Sequence, residues 1–116
     1  MQEQEIERKE IRKKENTMTN IKELSTKCNI ISKEQIDERQ GARGSSKIYI
    51  LTTQPNGTNE TTLFLHFEFY RLTGSFCYDK SILISQETYT QIMAAAKAKN
   101  TDTLATIYSI LLGLIS

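Results

Sequence analysis

The chain has no tryptophan, one proline, one histidine and two cysteines in 116 residues, and each scarcity narrows what it can be. Cys28 and Cys77 have no metal-ligand spacing and a single histidine to help them, which leaves no zinc cluster and no disulfide framework. The reading is a reduced protein with two buried thiols; one structural disulfide is the alternative. Neither sign of charge dominates. Fifteen Lys and Arg against fourteen Asp and Glu leave a net charge of +1, so any polyanion site must be a local patch. The longest apolar stretch, residues 104–115, is about a dozen residues and interrupted by polar groups, short of the roughly 20 of a membrane helix. The N-terminus is charged and lacks an apolar signal core, so a cytoplasmic protein without membrane attachment is expected. There is no Gly-rich phosphate loop before a helix, no activated Ser or Cys arrangement and no metal cluster. No cofactor is expected, and an enzyme is not the favoured class.

What is present is a hairpin. Residues 47–70 contain two apolar alternating runs about Pro55-Asn56-Gly57-Thr58, and an Asn-Gly pair between such runs is a strong hairpin signal because hairpin turns need positive φ. On the second arm Leu63, Leu65, Phe67 and Phe69 share one face, while Phe64, His66, Glu68 and Tyr70 share the other. On the first arm Ile48, Ile50 and Thr52 oppose Lys47, Tyr49, Leu51 and Thr53. Each arm thus has one core face and one mixed face of rings and polar groups, where binding or chemistry belongs.

The flanking elements are shorter. Residues 2–15 are almost wholly Glu, Gln, Lys and Arg, five acidic against five basic, with Ile6 and Ile11 too few for a buried stripe. The 1–17 segment reads as a charged helical or disordered extension. Lys14-Glu15 can be encoded by a purine run of the kind that positions bacterial ribosomes, so a native start at Met18 is expected. The domain then spans residues 18–116, one domain by length. Thr19 reads as the N-cap of a short helix, residues 28–31 as a brief strand, and Ser32 with Gln35 as a capping box opening a helix over 33–39. Residues 40–46 form a mobile Gly and Ser loop. Residues 75–78 and 81–84 read as one interrupted strand or two short ones continuing the meander, with Asp79-Lys80 as a bulge or a tight bend. Ser85 caps a helix over 86–99 with Tyr89, Ile92, Met93 and Ala96 inward, and Thr101 or Asp102 caps a final apolar helix carrying Leu104, Ile107, Tyr108, Leu111, Leu114 and Ile115. Short helices, antiparallel strands and then two helices define an α+β fold.

Three readings of function compete. Arg39, Arg43, Lys47 and Arg71 supply cations beside Tyr49, Phe64, His66 and Tyr70, the combination that binds single-stranded RNA or DNA through phosphates and stacked bases. The opposing view is that helices cover this face and the loop is a solvated connection. His66 and Glu68, two apart on one strand face with Tyr70 and Arg71 beyond, form a candidate acid, base and phosphate clamp for metal-independent RNA cleavage. The apolar helix over 102–115 serves either the core or a homodimer or protein-partner interface.

From Met18-Thr19-Asn20-Ile21-Lys22-Glu23-Leu24 through the aromatic hairpin to the apolar C-terminal helix, the chain resembles the PrgU-like family. These are small regulatory proteins carried on enterococcal pheromone-responsive conjugative plasmids. The resemblance is one of general layout, covers nearly everything after Met18, and carries no functional residue across. It implies a PUA-like α+β pseudobarrel and a regulator that restrains production of plasmid surface adhesins and transfer factors through RNA.

Overall fold

The computed structural model describes residues 18–113; the expectations for residues 1–17, and for Leu114 and Ile115, lie outside them. Five antiparallel strands form one sheet in the order β1-β5-β4-β3-β2, an open meander closed by a two-residue strand at one edge. The strands are β1 (Met18–Thr19), β2 (Cys28–Gly41), β3 (Gly44–Pro55), β4 (Thr62–Arg71) and β5 (Phe76–Ile84). A short helix α1 (Ile21–Lys27) lies between β1 and β2, and helices α2 (Gln86–Lys97) and α3 (Thr101–Gly113) follow the sheet. The α+β class with two C-terminal helices stands, in its meander form.

The hairpin of β3 and β4 is the centre of the sheet, with Thr53 opposite Thr62 and Gly44 opposite Arg71. Its alternation sorts the two layers as read. Ile48, Ile50, Leu65 and Phe67 join Ile82 and Ile84 under Ile92, Ala95, Leu104 and Tyr108 of α2 and α3, forming the main core. On the opposite face a smaller cluster of Leu24, Cys28, Leu51 and Phe64 lies beneath α1. In the turn, Gly57 has φ of 80° and Asn56 does not have positive φ, while the Thr58 N–H donates to the Pro55 carbonyl at 3.1 Å.

Several local expectations are corrected. Residues 33–39 are strand, not helix: all of β2 pairs along β3, whose N–H and C=O groups offer a complete ladder that outweighs helix propensity. Two register shifts, at Ile31 and at Ile36, break the period of two and hide this strand from pattern reading. Residues 40–46 are not a loop, since β2 and β3 meet at a two-residue turn, Ala42-Arg43. The cap of α1 is Asn20, whose side chain accepts from the Glu23 N–H at 2.8 Å, while the Thr19 hydroxyl bonds Glu23. Asn100 caps α3 by accepting from the Thr103 N–H at 3.1 Å, and Lys99 with φ of 56° ends α2. The irregularity in β5 falls at Cys77, not at Asp79-Lys80. Ser85 caps α2 as expected, at 3.1 Å from the Thr88 N–H.

Candidate nucleic-acid interface

The antiparallel order brings two turns to one end of the sheet. Because Gly44 pairs with Arg71, the β2–β3 turn stands beside the β4–β5 turn, and Arg43 comes near Arg71. Gly44 permits this approach: at φ of 148° its α-carbon lies against the Tyr70 carbonyl, and a Cβ would collide with that oxygen. Between the turns is an open groove of about 550 Å³, lined among others by Arg39, Arg43, Ser45, Ser46, Tyr70, Arg71, Cys77 and Tyr78. Arg43 and Arg71 are exposed, and neither side chain has a carboxylate partner among the described residues. Lys47 places its Nζ 5.1 Å from the centre of the Tyr70 ring, fixing a cation beside the groove.

Other expected site residues are engaged elsewhere. Arg39 reaches the groove, yet its guanidinium lies 3.2 Å from Asp37, donates to the Thr101 carbonyl at 2.7 Å and covers the Tyr108 ring at 5.2 Å. It fastens α3 to β2. Phe64 is 8% exposed and His66 wholly buried, so neither presents a face for base stacking. The mixed face is covered at the α1 end and open toward the turns. Tyr49 is half-buried, with the Lys33 ammonium 4.5 Å from its ring centre and the His66 ring 5.8 Å away. Burial and then the neighbouring Glu68 charge raise its phenol pKa. Cys77 is exposed where a buried thiol was expected, Cys28 is buried, and both are unpaired.

Beneath this open half runs a continuous polar network. Glu68 accepts from the Lys33 ammonium at 2.6 Å and from the Tyr70 hydroxyl at 2.7 Å, and its Oε2 lies 3.2 Å from His66 Nε2. A carboxylate only accepts, so His66 Nε2 carries the proton, and Nδ1 accepts from the Ser81 hydroxyl at 2.7 Å. Burial drives the Glu68 carboxyl upward, but the hydrogen bonds from Lys33, Tyr70 and His66 outweigh it and hold the pKa at about 2. Burial dominates for His66 and lowers its pKa despite the pull of Glu68, so the imidazole is neutral. The bond to Glu68 pushes the Tyr70 phenol up to about 12. Asp79 continues the chain, 4.0 Å from His66 Nδ1 and accepting from the Ile21 N–H at 2.8 Å at the start of α1. No buried side-chain nitrogen or oxygen among the described residues is left without a partner. The network orients Tyr70 and Lys33 and anchors α1 to β5.

Sequence reading missed three exposed groups at this end: Leu72 at 74% exposure, Phe76 at 54% and Tyr78 at 47%. The short run Phe76-Cys77-Tyr78 was legible as strand, but its closeness to Arg71 and Arg43 depends on the pairing of β4 with β5. Among the described residues no group of His, Cys, Asp or Glu is arranged to hold a metal ion, and no helix is long and apolar enough to cross a membrane. The fold and site define a small α+β domain with a basic, aromatic sheet end. Comparison of the chain with protein-family models, with curated proteins and with solved structures found no match.

Proposed function

We propose that this protein is a small RNA-binding regulator whose contact surface is the sheet end built by the β2–β3 and β4–β5 turns. One observation carries the reading: Arg43 and Arg71, both without a carboxylate partner among the described residues, line one open groove with Tyr70. Ser45 and Ser46, which alternate between the two faces of β3, also line this groove. Only a local patch suits a chain whose overall charge is near zero. The layout-level resemblance to PrgU-like proteins favours the same class and extends it to restraint of plasmid-encoded adhesin or transfer genes.

Binding to a pool of cellular transcripts, followed across an ionic-strength series with sequencing of the retained RNA, tests this. Affinity is expected to fall as salt rises, because neutralised phosphates release counterions. Replacing Arg43 and Arg71 together by Ala is expected to weaken binding roughly tenfold or more and to flatten the salt slope, with the unfolding midpoint retained. Unchanged affinity in a folded double variant overturns the site.

A second reading, a protein-binding regulator acting through α3, has one observation in its favour: Ile110 is 58% exposed on that helix. Leu104 and Tyr108 of the same helix are buried in the core, and Ile107, Leu111 and Leu112 pack against it, so most of the apolar surface of α3 is already covered. The ribonuclease reading loses its geometric support, since a wholly buried His66 bonded on both nitrogens has no lone pair or proton to offer a substrate.

A further inference from the structure

The extra residue Cys77 changes the direction of the aromatic rings on either side of it. In a regular strand Phe76 and Tyr78, two positions apart, share a face. With Cys77 unpaired between them, Phe76 lies opposite Tyr70 and Tyr78 lies opposite Phe69, and those two neighbours on β4 point to opposite faces of the sheet. Ring contacts agree: Phe76 meets Tyr70 edge to face at 5.9 Å, and Tyr78 stacks on Phe69 at 4.7 Å. Each pair carries a lysine, Lys47 at 5.1 Å from the Tyr70 ring centre and Lys80 at 5.8 Å from that of Tyr78.

The charges around these rings are sorted by sign. Glu68 is held inside by Lys33, Tyr70 and His66, Asp79 by the Ile21 N–H, and Asp37 by Tyr108 and Arg39. Glu38, which pairs across the ladder with Lys47, is the exposed acid of this end. Arg43 and Arg71 are exposed and line the same groove as Tyr70, Phe69 and Tyr78. Among the described residues the strand edge here is also open, since β1 pairs with β5 at Ser81 and Ile82 and leaves Phe76 to Lys80 beyond it.

Resting on the nucleic-acid reading of this end, we infer that the bulge at Cys77 makes it a two-sided stacking platform for one unpaired strand. One base stacks on Phe76 and a later one on Tyr78. The intervening backbone passes around the open corner of β5 with its phosphates toward Arg43, Arg71 and the two lysines. A duplex keeps its bases stacked within itself and presents no ring face to either platform. An acidic peptide satisfies the cations and leaves both rings unused.

The chain lacks tryptophan, so Phe76→Trp and Tyr78→Trp each place a sole indole on one platform. The probes are an oligouridylate of about ten nucleotides, a duplex of the same length, and oligoglutamate. The single strand is expected to quench both indoles, while the duplex and oligoglutamate quench neither. Phe76→Ala and Tyr78→Ala are each expected to weaken oligouridylate binding roughly tenfold, with the fold retained and only a small drop in thermal midpoint, since each half-exposed ring gives up one ring contact on β4. If salt-sensitive binding persists but one indole alone responds, or duplex and single strand bind equally, the two-sided platform is wrong and the nucleic-acid reading stands. Oligoglutamate binding as tightly as the single strand reassigns the patch to an acidic peptide and overturns both. Absence of binding to either nucleic acid at low salt also removes both.

Discussion

Glu68 shows how one residue couples stability to the candidate surface. Its carboxylate stays charged within a sheet face because three donors replace the water it lost. The neighbouring imidazole is held neutral by burial. Both groups take up protons more readily in the unfolded chain, so unfolding binds protons and stability falls as pH falls. The His66 contribution is whole above the ordinary value of 6.5 and is lost as pH drops below it; that of Glu68 follows from 4.5 toward about 2. Urea midpoints measured near neutrality, at about pH 5.5 and at about pH 4 are expected to decline in that order. His66→Gln should abolish the decline in the first interval, while the part of the second that belongs to Glu68 remains. A wild-type midpoint that is flat between neutrality and about pH 5.5 would show that the imidazole is protonated without loss.

At the scale of elements, the two turns at the basic end depend on one residue of close approach. Gly44→Ala introduces a Cβ against the Tyr70 carbonyl at a φ that L side chains avoid. The expected cost is about 3 kcal/mol in urea unfolding, and the RNA affinity proposed above is expected to fall with it because Arg43 adjoins the displaced backbone. Stability equal to wild type would mean that the start of β3 can move from β4 without loss. The same elements show what pattern reading reaches. The hairpin of β3 and β4 was legible because Leu63, Leu65, Phe67 and Phe69 alternate strictly with a mixed set, and Asn56-Gly57 marks the turn. The run from Lys33 to Arg39 was not, because its residues favour helix locally and the bulges at Ile31 and Ile36 shift the period that would have marked a strand. Of the candidate site, Arg43, Lys47, Tyr70 and Arg71 were legible as cations and a ring near one hairpin. Phe64 and His66 were misjudged because α1 and the network cover them, a fact no spacing along β4 contains.

Across the whole molecule, one sheet serves two cores. Leu104 of α3 packs on one face and Leu24 of α1 on the other, both 3% exposed. Since β3 and β4 contribute side chains to both clusters, loss of either face loosens the same strands. Leu104→Ala and Leu24→Ala are each expected to cost about 2–5 kcal/mol, the latter toward the lower end because its cluster is smaller and more able to collapse. Each should shift a single unfolding transition, followed by far-ultraviolet circular dichroism and tyrosine fluorescence together. A separate early transition in Leu24→Ala would show that α1 and its cluster fold independently of the sheet.

By itself the sequence determined the α+β class, the central hairpin, its two unlike faces and the capped helix after Ser85, because alternation, turn chemistry and capping act over a few residues. Tertiary structure alone decided the rest. Pairing with β3 made the Lys33 to Arg39 run a strand, and packing of α1 buried Phe64. The register of β4 against β5 set Phe76 and Tyr78 on opposite faces and brought Tyr78 to a groove with two arginines. These outcomes turn on contacts between residues far apart in the chain, whose hydrogen bonds and buried area outweigh the local preferences that a linear reading can weigh.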